Sequence, residues 1–290
     1  MFGPEALRVP RPARLVVFWD YDTQWGADRS RAPGGPKAWG PLEFEHTERL
    51  LELHAQYDVP ACFAVVGAAA LPGDRPYHDP AQVRRIHAAG HEVGSHSLQH
   101  DWLPGLDPQA LRHTLAASKD ALEQCIQAPV CTFVPPYNQP FDYPRGLSIS
   151  RSERRTAGRA RTGLGRLAAT LREVGYDLCR VAYRPLPLRL VERVARRRFP
   201  WGARPVQISG LLCLRTNAGC GFDAFALGAL RQVVASGGVV VAHAHPHSLS
   251  ADNAQHERFL VPFLEQVADL RRRGDLRPML PRELVRELTP

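Results

Sequence analysis

The chain has 290 residues, 44% of them hydrophobic, and carries 37 Lys+Arg against 29 Asp+Glu for a formal net charge of +8. That length sets one or two domains, and the apolar fraction supplies a full globular core. No apolar run approaches the roughly 18 residues of a helical membrane span, which excludes that class. The 6 cysteines form no Cys-x-x-Cys pair and sit mostly in apolar contexts, so they read as reduced core residues and not as a disulfide framework. No signal-peptide pattern precedes the first apolar run, and a cytoplasmic location is expected.

The predicted elements alternate. Leu15–Trp19 is a strand that ends in Asp20-Tyr21-Asp22. Phe44–Tyr57 is an amphipathic helix with Leu50, Leu51 and Leu53 on its apolar side, and Ala61–Val66 is the second strand. Pro80–Ala89 is a helix stopped by Gly90, followed by a short strand, His91–Gly94, that runs into His96-Ser97-Leu98-Gln99-His100. Asp107 caps a long helix, Pro108–Gln127, with Pro in its first turn. Cys131–Val134 is a strand halted by Pro135-Pro136, and Tyr137–Gly165 is irregular and longer than an ordinary connection. Then come a helix at Leu167–Val174, strands at Asp177–Ala182 and near Gln207–Leu214, a helix near Phe222–Ala235 and the strand Val239–Ala242. The helix Gln255–Arg273 and a terminal strand–helix unit complete the chain. Repeated strand–helix order implies a parallel sheet with helices outside. The polar motifs sit at strand carboxyl ends, where α/β barrels build active sites.

The basic excess is almost all arginine, since only Lys37 and Lys119 are lysine. Arg145, Arg151, Arg154, Arg155, Arg159, Arg161 and Arg166 have Glu153 as the sole acid among them, and Arg189 to Arg204 adds a second such stretch. Solvated arginine faces are the favoured reading, and no nucleic-acid partner is expected. A polyanionic substrate or an anionic membrane surface is the alternative. The interleaved Arg, Leu, Val, Phe and Trp of Leu188–Trp201 suit peripheral membrane contact, and arginine suits phosphate because its fork donates two hydrogen bonds at once.

His96 and His100, four apart, can lie on one side of a helical turn and share one metal ion. Zn²⁺ takes imidazole nitrogen and completes a catalytic site with a third protein ligand and an open position. Asp22 supplies that third ligand. Asp20, two residues earlier, is the spare carboxylate that accepts a proton from an attacking water. His243, His245 and His247 share one side of the Val239–Ala242 strand if the extended backbone persists, and one of them can protonate a leaving group. Tyr137, fixed by two preceding prolines, can aim its backbone N–H at a developing oxyanion.

These residues resemble the polysaccharide deacetylase (NodB-homology) family of carbohydrate esterases. Val59–Gly67 is similar to its second strand, and Ala89–His100 to its metal-binding motif. The likeness extends from Leu15 to about Asn138 and more loosely to His243–His247 and Leu276–Leu288. It implies a distorted (β/α) barrel, usually of seven strands. It also implies removal of N-acetyl groups from amino sugars with Zn²⁺ or a similar divalent ion. By position, Asp20 matches the family's base, Asp22, His96 and His100 its metal ligands, Tyr137 its oxyanion donor, and His245 its acid. Two departures stand out. Val134 occupies the place of the arginine that orients the base, for which Arg184 is a candidate substitute, and no aspartate matches the one that supports the acid histidine.

The resulting expectation is one catalytic domain over residues 1–290 with an Arg-rich insertion around 140–166. Its substrate would be an N-acetylated sugar, with a phosphate- or lipid-linked precursor in view. Deformylation or hydrolysis of another non-peptide amide on the same machinery is one alternative. An inactive carbohydrate-binding barrel is the other.

Overall fold

The first strand, β1 (Ala13–Tyr21), is buried along its whole length, and its alternate residues enter two different cores. Val16 and Phe18 pack with Cys62, Ala64, Leu178, Leu212, Leu214, Val239 and Val241 inside a ring of strands. Leu15, Val17, Trp19 and Tyr21 join the larger core beneath the helices. Burial on both faces is why the segment reads as an unbroken apolar run. The structure is a computed structural model and describes residues 6–7, 9, 11–30, 38–141, 161–183, 186–196, 199 and 204–289.

Helices α1 (Thr23–Arg29) and α2 (Gly40–Tyr57) follow β1, then β2 (Cys62–Val65), α3 (Pro80–Ala88), β3 (Glu92–Ser95), α4 (Pro108–Ile126) and β4 (Thr132–Phe133). After the described break come α5 (Leu164–Val174), β5 (Leu178–Val181), α6 (Leu186–Ala195), β6 (Val206–Ile208) and β7 (Leu211–Arg215). The chain ends with α7 (Ala224–Ser236), β8 (Val239–Ala244), α8 (Glu257–Arg272), β9 (Leu276–Pro278) and α9 (Pro281–Leu288). The sheet runs β6-β7-β5-β4-β3-β2-β1-β8, with β9 beside β1. From β7 round to β8 every neighbour pair is parallel. These seven strands are the expected distorted-barrel wall. Only β6 is antiparallel, to β7, and β9 adds a short parallel edge at the start of β1.

The ring closes without a regular ladder. Past β7, Asn217 donates from its side-chain nitrogen to Val239 O and accepts from Val241 N, and the backbone of Ala218 and Gly221 donates to Val241 O and His243 O. The opposite, N-terminal end is plugged by Met279 and Leu284, which join the interior core; Met279 N donates to Leu15 O.

Asp107 caps α4 by accepting from Ala110 N at 2.8 Å. The one strand expected near Gln207–Leu214 is instead the β6–β7 hairpin. Ser209 (φ 51°) and Gly210 (φ 76°) form its two-residue turn, and two left-handed residues in succession match the twist of antiparallel strands. Helices α1 and α6 were not expected. Most of the Arg-rich insertion, residues 142–160, and Arg184 lie outside the described residues. No helix among the described residues is long and apolar enough to cross a membrane.

Candidate metal centre and active site

Strand alternation carries polar side chains to the mouth of the ring. Asp20 continues the inward set of Val16 and Phe18, Arg180 that of Leu178, and His243 that of Val239 and Val241. Asp22 leaves β1 at the start of α1 and makes no capping bond. Position 26 must be glycine for this, because a Cβ there would lie 2.5 Å from Asp22 Cβ.

His96 and His100 sit on a turn after β3 and not on a helix. Ser97 (φ 62°) and His100 (φ 58°) are left-handed, and α4 braces the turn. Thr114 Oγ1 donates to Asp101 Oδ2 at 2.6 Å and accepts from Leu98 N, while Ser97 Oγ accepts from Asp101 N. Five of the non-glycine residues with positive φ (Thr23, Ser97, His100, Tyr137 and Asn138) surround this mouth. Backbone strain of this kind costs about 1–3 kcal/mol per residue and persists only where the surroundings impose it.

The two imidazoles converge. His96 Nε2 lies 3.3 Å and His100 Nε2 3.5 Å from the same oxygen, Asp22 Oδ1, which accepts no hydrogen bond among the described residues. One ligand atom from each of the three lies within 4.8 Å of the others, and all three residues are buried. His96 Nδ1 is 2.7 Å from Val134 O, so Nδ1 carries the proton and Nε2 keeps its lone pair, as a metal ligand requires. Burial holds His100 down at about 4 despite the pull of Asp22, leaving a neutral imidazole at physiological pH. For Asp22, burial alone would raise the carboxyl, but the neighbouring His100 and the hydrogen bond from His96 hold it well below the usual carboxylate range. A buried carboxylate and two imidazoles that converge on it form a fitting donor set for a divalent transition ion.

Beside this group, Arg180 donates from Nη1 to Asp20 Oδ1 and from Nη2 to Asp20 Oδ2, both at 2.6 Å, and from Nη2 to Asn138 Oδ1 at 3.1 Å. Burial opposes ionisation of Asp20, yet the Arg180 guanidinium outweighs it and holds the carboxyl far below its ordinary value. β5 thus supplies an arginine that grips Asp20 from across the ring, while Val134 stands before Pro135-Pro136-Tyr137. Arg184, the candidate substitute, lies outside the described residues. The signal was present in Leu178-Cys179-Arg180-Val181, a charge facing inward on an otherwise apolar strand.

The three histidines of β8 part company. His243 is buried in the wall beside Cys220. His245 Nε2 faces Asp20 Oδ2 at 3.9 Å. His247 Nδ1 pairs with buried Glu43 at 3.0 Å, and its ring stacks on Trp39 with centroids 4.4 Å apart. Burial opposes the His245 imidazolium, but Cys220, Asp22 and Asp20 outweigh it and push its pKa well up. His243 and His245 draw the Cys220 thiol down to about 5 against its own desolvation. Tyr137 (φ 58°) packs edge-on against His100 and donates its hydroxyl to Arg29 O at 2.6 Å. A cavity of about 300 Å³ unites these groups, lined by Asp20, Asp22, His96, His100, Tyr137, Asn138, His245 and His247, with Trp39, Ser248 and Gln255 at its sides. Trp39, Glu43, Asn138, Gln255 and Arg180 were not singled out from the sequence.

Residues 39–146 match the family model described as polysaccharide deacetylase. That segment, a little over a third of the chain, is similar to the polysaccharide deacetylase domain and holds His96, His100 and Tyr137. Solved structures share its fold across nearly its whole length. A Mycobacterium smegmatis protein assigned as a polysaccharide deacetylase has a TM-score of 0.63 at 18% identity, covering 99% of this chain and 95% of that one. A Pseudomonas aeruginosa PAO1 protein with the same assignment gives 0.57 at 15%, covering 95% and 90%. PuuE allantoinase gives 0.59 at 15%, covering 98% and 93%. At these identities the likeness shows the fold.

Proposed function

We propose that this chain is a single metal-dependent catalytic domain that removes the N-acetyl group from an amino sugar or a polysaccharide precursor. The observation that carries this reading is the convergence of His96 Nε2 and His100 Nε2 on the unpartnered Asp22 Oδ1. That group shares its cavity with a second carboxylate and a third imidazole.

Asp22, His96 and His100 would hold one Zn²⁺ or similar ion. When bound, such an ion polarises an acyl carbonyl and makes water more acidic. Asp20 takes the proton from the attacking water. Each of its oxygens keeps an acceptor site beyond the one given to Arg180, and the pairing fixes its direction at the expense of basicity. Tyr137 offers its backbone N–H to the oxyanion, held by the left-handed Pro136–Asn138 turn. His245, aimed by Nε2 at the same space, returns a proton to the departing amine.

A substrate carrying phosphate, as lipid- or nucleotide-linked sugars do, is supported by the arginines that follow Pro135-Pro136-Tyr137 in the chain. A cytoplasmic site of action is supported by six free cysteines, the pattern of a reducing compartment. A second reading keeps the machinery and changes the substrate to an N-formyl sugar or a non-sugar amide. The cavity of about 300 Å³, walled on one side by Trp39 and His247, leaves the acyl group and its carrier to be decided by assay.

Acetate release from a panel of N-acetylated sugars, with Zn²⁺ added and after chelation, tests the proposal. Metal-dependent acetate release from an amino sugar is expected. Hydrolysis of non-sugar amides alone would move the assignment to the second reading, and a protein that binds sugars but hydrolyses nothing would sink both.

A further inference from the structure

Two hydrogen bonds at His245 end on one atom. The backbone N–H of His245 donates to Gln255 Oε1 at 2.8 Å, and His245 Nδ1 lies 2.8 Å from the same oxygen. The first contact settles the orientation of the Gln255 amide, because a backbone N–H can only donate and an NH₂ group cannot accept. The atom there is oxygen. An oxygen 2.8 Å from an imidazole nitrogen requires a proton between them, so Nδ1 carries it.

We infer that Gln255 is a positioning residue that locks His245 in the Nδ1–H tautomer and leaves Nε2 as the atom facing the reacting groups. The tautomer stands on these two bonds alone, while its use in proton return rests on the hydrolase reading above. Nε2 can then deliver a proton only from the imidazolium, and the neutral ring accepts there. Cys220 Sγ, 3.8 Å from Nδ1, is the one competitor on that side among the described residues. Were it to donate to a bare Nδ1, two lone pairs would face each other across the 2.8 Å gap to Gln255.

The local fold presents Gln255 rigidly. Its own N–H donates to Asn253 Oδ1 at 2.8 Å, and Ala254 O accepts from Phe222 N at 2.8 Å. Gly221 (φ 118°) permits that approach, since a Cβ there would lie 2.5 Å from Ala254 O. The acceptor behind His245 is thus a neutral amide, where the family resemblance implies an aspartate. The imidazolium draws its support from Asp20, Asp22 and Cys220, with His100 opposing.

The test is ¹H–¹⁵N correlation of histidine-labelled, Zn²⁺-loaded protein, read together with kinetics. In the wild type, neutral His245 should show a protonated Nδ1. Gln255→Met should mix the tautomers and lower kcat by about 10–100-fold with KM little changed, the usual scale for loss of a supporting contact. Gln255→Glu, which restores an acceptor, should recover Nδ1–H and most of kcat, and move the alkaline loss of activity to higher pH. A wild-type His245 protonated at Nε2 overturns the inference, even if the variants fail to fold. So does a Gln255→Met protein with unchanged tautomer and kcat. If no amide is hydrolysed, the deacetylase reading fails, and the tautomer is still decided by the spectrum.

Discussion

Arg180 and Asp20, 160 residues apart, meet across the inside of the ring with two parallel 2.6 Å hydrogen bonds. Three strands separate β1 from β5 in sheet order, so the pair runs as a chord and not along the wall. Side-chain exposure is 0% for Arg180 and 4% for Asp20. Removing one partner strands a buried charge, which costs about 3–5 kcal/mol. Arg180→Met should therefore lower stability on that scale in denaturant titration. Asp20→Asn should keep its metal and lose about 10²–10⁴-fold in turnover. The sign of the acid response follows from the depressed carboxyl of Asp20. Its contribution is complete above the unfolded pKa of about 4 and drains only as pH falls toward the folded value. The Arg180→Met protein should accordingly lose less stability than wild type on going from pH 5 to pH 2. Equal acid sensitivity would show that the pair contributes nothing.

His100→Ala should abolish tight binding of one Zn²⁺ per chain and with it hydrolysis, since three ligands are the minimum of an open catalytic site. Metal analysis of the purified variant checks this. Full metal content with normal activity would remove Asp22, His96 and His100 from the assignment.

Among the β8 histidines, His245→Ala should be the most damaging to turnover. His243→Ala should act through stability, and His247→Ala through substrate affinity at the Trp39 side. Because the His245 pKa is raised, the acid form persists through neutral pH and activity should fall only as pH rises beyond it. A His245→Ala enzyme near wild type beside a dead His247→Ala enzyme would transfer the acid role.

Charge reversal at Arg151, Arg154 and Arg155 should raise KM for a phosphorylated N-acetyl sugar and spare a neutral one. Equal effects on both, or none, would make that stretch ordinary surface.

What could be read without the structure was local. The β1 run and its two aspartates, the capped α4 and the His96–His100 spacing each carry their signal within a few residues. The partner of Asp20 could not be read that way, because only the order of strands around the ring sets β5 opposite β1. The same limit hid Gln255, which reaches His245 through a loop anchored on Phe222 and Gly221. Spacing of four also suits either a helix or a turn. Here Ser97 Oγ and Thr114 impose the turn, a tertiary override of the helical reading. Helix α1 has no acidic first turn and no side-chain cap, and α6 lies within an arginine stretch whose charges mask its period.

The ring has one weak seam. Between β7 and β8 a single carboxamide, that of Asn217, and a few backbone contacts replace a ladder. Arg180 stands on the strand next to β7, and Asp20 on the strand next to β8. Their ion pair is therefore a cross-brace over the gap, the member that resists the two flanks spreading. Any motion that widened the mouth at this seam would have to stretch it. Asp20 would lose its orientation and the wall its closure together, while Asp22, His96 and His100, carried by the unbroken run from β1 to β3, would travel as one piece.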